Sequence, residues 1–285
     1  MKKVLLAGVT GYLGSYIAKA LYERGFSTRA IARDTLSQKD SNVLFSEIIE
    51  AELTKPNTIE GCCNQIEVVI STVGITRQKD GLTYMDVDYQ ANLNLLREAQ
   101  KSGVHKFIYV SVLNGERLRH LKLCDAKERF VEQLKGSGLD YCIIRPNGFF
   151  SDMTEFYNMG KKGRIYLFGN GEFKMNPVHG ADLAAVCVDA IGIQDKEVRI
   201  GGPEILTHNK IAETAFTVLG TRPKIRYIPN WIRIAILRLT RFFTGSKTYG
   251  PIEFFMTVMA MDMIAPEYGK HTLEAYFNHL RRSPV

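Results

Sequence analysis

Apolar and polar positions along the chain follow two rhythms. Short runs with few polar interruptions, Val4–Ala7, Ser27–Ala32, Ile66–Thr72, Lys106–Ser111 and Tyr141–Arg145, read as strands, and the first is apolar enough to be buried on both faces. Between them lie segments of helical period: Tyr12 onward, with Leu13, Ile17, Ala20 and Leu21 on one side; Tyr84–Lys101, with Leu93, Leu95, Leu96 and Ala99 inward; and Leu123–Lys135. The order β-α-β-α with short connections predicts an α/β fold, a parallel sheet doubly wound with helices on both faces. Beyond Pro146 the pattern loosens into glycine-rich turns at Gly160, Gly163, Gly169 and Gly171. A helix over Ala181–Ile191 and a strand over Glu197–Gly201 follow, and the remainder reads as mostly helical. The predicted division is a sheet domain over 1–150, with returning elements around 181–201, and a smaller substrate-side region over 151–285.

Composition narrows the class. Of 285 residues 45% are hydrophobic and 24% charged, without low-complexity segments, as expected of a globular chain. Five cysteines, Cys62, Cys63, Cys124, Cys142 and Cys187, lack metal-ligand spacing and point to a reduced, cytoplasmic setting. No histidine has a partner at ligand spacing, so no metal is expected. The net charge of +7 is scattered and not interleaved with aromatics, which argues against nucleic acid.

The first strand breaks into Gly8, Gly11 and Gly14 just before a helix. Gly8 and Gly11 supply a tight turn and bare backbone, Gly14 lets helix and strand pack closely, and the first-turn N–H groups face a pyrophosphate. Thr10, Tyr12 and Leu13 complete this candidate dinucleotide cradle. The second strand leads into Arg33, with Asp34 beyond it, where an arginine accommodates a 2′-phosphate; this favours NADP(H) over NAD(H), with Arg29 and Lys39 as possible helpers. Glu52 and Leu53 are expected near the adenine, and Ser71, Thr72, Val73 and Gly74 beside the adenosine half. Ser71 and Thr72 equally suit strand-end capping.

These glycines, Arg33, a strand ending in Val110-Ser111, Lys127 and Gly138–Phe150 (Gly-Leu-Asp-Tyr-Cys-Ile-Ile-Arg-Pro-Asn-Gly-Phe-Phe) make the chain resemble the atypical short-chain dehydrogenase/reductases. The stretches Val87–Ala91, Phe168–Glu172, Ala181–Ala185, Ile200–Pro203 and His271–Phe277 resemble the branch of divinyl chlorophyllide 8-vinyl reductase and other NmrA-like relatives. The resemblance implies a Rossmann-type fold, an NAD(P)-dependent oxidoreductase activity, and a catalytic Tyr-x-x-x-Lys whose lysine is Lys127. It also places Pro146, Asn147, Gly148 and Phe149 against the nicotinamide carboxamide, with Phe149 and Phe150 facing the pocket, or at least one of them in the core.

At the tyrosine position stands Leu123, which has no proton to give. General acid catalysis is worth ~10²–10⁴ in rate, so alcohol–ketone interconversion by the usual pair is disfavoured. Three readings remain: reduction of an activated carbon–carbon double bond or similar hydrophobic acceptor; a different donor, among Tyr157, Tyr166, His179 and Asp125; or a non-catalytic NADP(H)-binding sensor or assembly factor. Trp231–Phe243 predicts an amphipathic helix with Arg233, Arg238 and Arg241 in one arc and Trp231, Ile232, Ala235, Leu239, Phe242 and Phe243 opposite. It suits a cap over a hydrophobic pocket or a peripheral membrane contact; the ordinary expectation is a packed helix with its arginines in water. Phe254, Phe255, Met256, Met259, Met261 and Met263 add soft apolar surface.

Overall fold

A computed structural model of the chain describes residues 2–33, 44–75, 81–243 and 246–282. They form two compact units, Met1–Arg145 with Leu183–Val198, and Pro146–Asp182 with Arg199–Val285. Asp34 and Lys39 lie outside the described residues.

In chain order the elements are β1 (Lys3–Ala7), α1 (Tyr12–Glu23), β2 (Ser27–Ala32), β3 (Glu47–Glu50), β4 (Val68–Ser71), α2 (Asn92–Lys101), β5 (Lys106–Val110), α3 (Lys122–Lys135), β6 (Asp140–Pro146), α4 (Phe150–Lys161), β7 (Ile165–Phe168), β8 (Lys174–Met175), α5 (Gly180–Asp189), β9 (Glu197–Ile200), β10 (Leu206–Thr207), α6 (His208–Leu219), β11 (Ile225–Ile228), α7 (Asn230–Phe243), α8 (Ser246–Val258) and α9 (Leu273–Arg282). The principal sheet runs β3-β2-β1-β4-β5-β6-β9. Pairings from β3 through β6 are parallel, with Ala7 opposite both Ile31 and Ser71. The sheet is thus the doubly wound, Rossmann-like one expected. Chain direction across the sheet reverses between β1 and β4, and a crevice for ligands opens beyond the carboxyl ends of strands at such a switch point. Val4, Leu5, Leu6 and Ala7 are completely buried, as a central strand covered on both faces requires.

Three elements differ from expectation. On α1 Ala18 is buried, whereas Ala20 is only half-buried. The close approach of Gly14 to the preceding turn brings that side of the helix inward. The predicted helix Tyr84–Lys101 is instead a π-helical turn over Met85–Ala91 followed by α2. A widened turn leaves carbonyls without their usual partners, and the Asn92 side chain serves them, its Nδ2 donating to Val87 O at 3.2 Å and Asp88 O at 3.0 Å. Third, α4 occupies a stretch expected to be loose turns. Its buried positions, Phe150, Met153, Phe156, Tyr157 and Gly160, keep helical spacing. Gly160 is an interior contact and not a turn: a Cβ there would lie 2.8 Å from Leu219 Cδ1 of α6.

The first unit's core gathers between the sheet and its helices, joining Leu5, Val69, Phe107 and Tyr109 to Leu95, Leu96, Phe130 and Leu134. Behind it lies a charged knot. Arg145, 2% exposed, donates to both carboxylate oxygens of Glu128 at 2.6 and 2.9 Å, with Glu197 at 3.1 Å. In the second unit α4 packs on α6 and α9, β7 pairs with β11 in parallel, and β8 pairs with β10 antiparallel. All five cysteines are buried free thiols.

Candidate functional site

The turn between β1 and α1 is built around its glycines. Gly8 takes a left-handed φ of +90°, and a Cβ there would sit 2.5 Å from Thr72 Oγ1. At Gly14 a Cβ would sit 2.0 Å from the Gly8 carbonyl oxygen, so only glycine lets the helix approach the strand this closely. Gly11 is the N-cap of α1 and brings no capping side chain; the first turn holds no acidic residue, and Thr10 and Gly11 are exposed. Bare exposed backbone at the positive end of a helix suits the diphosphate of a dinucleotide, so the residues present fit that group.

Farther along the carboxyl edge, Arg33 is exposed just beyond β2. The Glu52 carboxyl is held below the ordinary carboxylate range by hydrogen bonds from Lys55 and Thr54, and the Arg33 charge adds to this. Arg29 stands apart from that edge: it donates to Glu47 at 2.7 Å and to the carbonyls of Cys62 and Asn64 at 2.8 and 2.9 Å, so it is committed to holding β2 to β3 and the following loop. Leu53 is half-buried, its carbonyl accepting from Asn94 at 2.9 Å. Ser71 and Thr72 spend their hydroxyls on the protein. Ser71 Oγ donates to Asn92 Oδ1 at 2.6 Å, and Thr72 Oγ1 donates to Ala7 O at 3.2 Å. Ser111 does likewise, donating to Glu128 at 3.3 Å within the Arg145 knot; Val110 is buried.

Lys127 projects from α3 to the end of β4. Its Nζ lies 3.0 Å from Asp88 Oδ1 and 3.4 Å from the Tyr109 hydroxyl. A Cβ on Gly74 would come within 2.5 Å of Asp88 Oδ1 and 2.9 Å of Lys127 Nζ, so the glycine lets the ion pair press against the exposed backbone of residue 74. The Asp88 carboxylate also accepts from Ile75 N at 3.2 Å. Asn92 fixes the far side of this corner, donating to Val73 O at 3.1 Å. Burial pulls the Lys127 pKa down, but Tyr109 and Asp88 outweigh it and hold the ammonium charged. Burial pushes the Tyr109 hydroxyl up to about 12 against the pull of Lys127.

Asp88, Tyr109 and Asn92 were not among the site residues read from sequence, although Asp88 lies in the Val87–Ala91 stretch that carries the resemblance. The available signal was polarity at inward positions, since Asp88 and Asn92 share a buried helical stripe with Val87 and Ala91. Leu123 is buried on α3, one turn before Lys127. Asp125, weighed as a donor, pairs with Arg129 at 2.8 Å and Arg119 at 3.5 Å.

Pro146, Asn147, Gly148 and Phe149 belong to the second unit. Asn147 is buried and donates to Asn176 Oδ1 at 2.8 Å and Met263 O at 2.6 Å, while its own oxygen accepts from Gly148 N; this side chain is fully used in tying strand ends together. Phe150 is core, packed against His179 and Tyr276. His179 stacks on His271 at 4.2 Å, and His271 Nδ1 meets Asp182 Oδ1 at 2.8 Å. Tyr157 is buried and Tyr166 exposed. Met259 and Met263 are buried, Phe255 is exposed, and Phe254, Met256 and Met261 are half-buried. Among the described residues no group of three His, Cys, Asp or Glu is arranged to hold a metal, and no helix is long and apolar enough to cross a membrane.

The family model described as NAD(P)H-binding matches residues 8–193, more than half of the chain and all of the glycine cradle. The chain belongs to this NAD(P)H-binding family. Within reach of it by sequence are a chloroplastic divinyl chlorophyllide a 8-vinyl-reductase of Arabidopsis thaliana, 29% identical over 96% of this chain and 75% of the relative, and the photosystem II assembly factor Ycf39 of Synechocystis, 26% identical over 85% of this chain and 74% of the relative. The NADPH-dependent quinone oxidoreductase of Escherichia coli, solved with NADPH, shares the fold at a TM-score of 0.73 with 15% identity, covering 98% of this chain and 99% of that one.

Proposed function

We propose that this NAD(P)H-binding protein is an NADPH-dependent reductase acting on a hydrophobic acceptor with an activated carbon–carbon double bond. The observation that carries the reading is the pairing of a glycine cradle with a charged Lys127 at the same sheet edge. Gly8, Thr10, Gly11, Tyr12, Leu13 and Gly14 would hold the diphosphate, and Arg33, with Glu52 and Leu53 nearby, the adenosine 2′-phosphate. Val73 and Gly74 would lie beside the adenosine half, and Lys127 would hold the ribose of the nicotinamide half. When bound, the reduced nicotinamide supplies a hydride.

The protein's part is positional and electrostatic. Lys127, kept charged by Tyr109 and Asp88 and only 12% exposed, donates hydrogen bonds from a partly desolvated corner where they are stronger than in bulk. The proton that completes the reduced bond does not come from position 123. Tyr109, fully buried, orients Lys127; in this reading the proton comes from water. A carbon acceptor next to an activating group tolerates this better than a developing alkoxide.

Reductase relatives such as the Arabidopsis protein support the reading. Leu123 together with the likeness to Ycf39 favours a second one, a non-catalytic NADP(H)-binding assembly factor. Cofactor preference is tested by thermal shift. Ligand binding stabilises a fold by RT ln(1 + [L]/Kd), so NADPH should raise Tm more than NADH at equal concentration. Arg33→Ala should erase that difference. A larger shift with NADH would overturn the preference.

A further inference from the structure

Helix α7 turns its apolar face outward. Trp231 is 70% exposed, Phe242 83%, Phe243 74% and Leu239 57%, and no residue of the helix is buried. At 100° per residue these four share one side, and Arg238 and Arg241, both exposed, run along its flank. The opposite side, with Ile236, Leu237, Thr240 and Arg233, faces the protein; Arg233 Nη1 donates to Met256 O of α8 at 3.2 Å. This reverses the ordinary expectation of a packed apolar side with arginines in water. The reversal concerns exposed surface alone and is independent of the cofactor reading.

We propose that α7 is an interfacial helix that seats this protein on an anionic lipid surface. Three observations select that occupant. Large aromatic and aliphatic side chains with arginines beside them match the boundary between acyl chains and phosphate headgroups, where rings sink and guanidinium groups reach outward. The helix contains no acidic residue, and the whole chain carries +7, so the face is complementary to negative charge and two copies docked face to face would oppose arginine to arginine. Its 14 residues are too few to span a bilayer, which leaves it lying in the plane of the surface.

Trp231 is the only tryptophan of the chain, so the wild-type protein reports on its own docking. Addition of phosphatidylcholine vesicles containing phosphatidylglycerol should shift its emission to the blue, and bromine-labelled acyl chains should quench it; pure phosphatidylcholine should act much more weakly. In vesicle flotation, Arg238→Gln with Arg241→Gln should cut partitioning about 25-fold, at roughly fivefold for each cation beside an anionic surface. Phe242→Ser with Phe243→Ser should abolish flotation. An unchanged tryptophan spectrum with the mixed vesicles would overturn the proposal. So would light scattering showing a dimer that the phenylalanine substitutions dissolve, since the face would then belong to a second copy.

Discussion

Replacing Asp88 by asparagine tests the device that holds Lys127. Asp88 has no exposed surface and its Oδ1 lies 3.0 Å from Lys127 Nζ, whose side chain is 12% exposed. Removing one member of a buried ion pair costs ~3–5 kcal/mol, because the remaining charge is left in low dielectric. Lys127 keeps the Tyr109 hydroxyl at 3.4 Å and a little water, so the lower end, about 3 kcal/mol, is expected. At about 2–4 °C per kcal/mol for a chain of this size, Tm should fall by about 6–12 °C. The pH dependence has a definite sign. The folded pKa of Lys127 is raised, so its contribution is fully present below the unfolded value of about 10.4 and is lost as pH rises through the folded value. Burial holds the Asp88 carboxyl above the ordinary carboxylate range despite Lys127, so its own contribution falls as pH rises from about 4. The gap between wild type and Asp88→Asn should therefore narrow over that acid range and again in strong alkali. Calorimetry supplies the stability, and NADPH titration by fluorescence supplies the function. Because Asp88 acts through Lys127, Asp88→Asn and Lys127→Met should be non-additive in NADPH affinity. A melt within 1 °C of wild type, or additive effects on affinity, would refute the reasoning.

Gly14→Ala places a methyl 2.0 Å from the Gly8 carbonyl oxygen, so helix and strand must separate; NADPH affinity by calorimetric titration should fall at least tenfold, and an unchanged value would show that the cradle lies elsewhere. His208 is buried with its pKa lowered to about 4 by desolvation, partly offset by Asp262. The unfolded chain takes up a proton near 6.5 that the native state refuses, so stability should decline from pH 6.5 to 4 by about 3 kcal/mol, and His208→Gln should remove that part of the slope in urea melts. Glu128→Gln strands the Arg145 guanidinium among groups it was built to pair with; chemical denaturation should show a loss of about 3 kcal/mol or more, and a neutral outcome would mean Glu197 and Glu116 suffice.

Much of the first unit was legible because its signals are local. Apolar runs such as Val4–Ala7, the 3.6-residue stripe of α3 and a glycine triplet between strand and helix each follow from contacts within a few residues. What stayed hidden depends on distant partners. Arg29 sat in a plausible cofactor position until Glu47 and two carbonyls claimed it. Ser111 and Asn147 looked available as strand-end polar groups, but Glu128 and Asn176 take their hydrogen bonds. The π-helical turn at 85–91 is invisible to periodicity, since one extra residue per turn moves Asp88 and Asn92 inward without disturbing the apolar count. Helix α4 was obscured by Gly160, read as a turn and in fact required for contact with Leu219. The outward face of α7 was one of the readings left open, because amphipathicity identifies an apolar side without saying what lies against it.

Whether this cofactor-binding chain transfers hydride is decided by mixing the purified protein with NADPH and following the reduced-nicotinamide absorbance across a panel of vinyl-bearing tetrapyrroles, enones and quinones. Oxidation of NADPH is expected with at least one acceptor, in step with saturation of one carbon–carbon double bond and strongly reduced in Lys127→Met. Saturable NADPH binding with no oxidation across the panel would contradict it and leave the assembly-factor reading in its place.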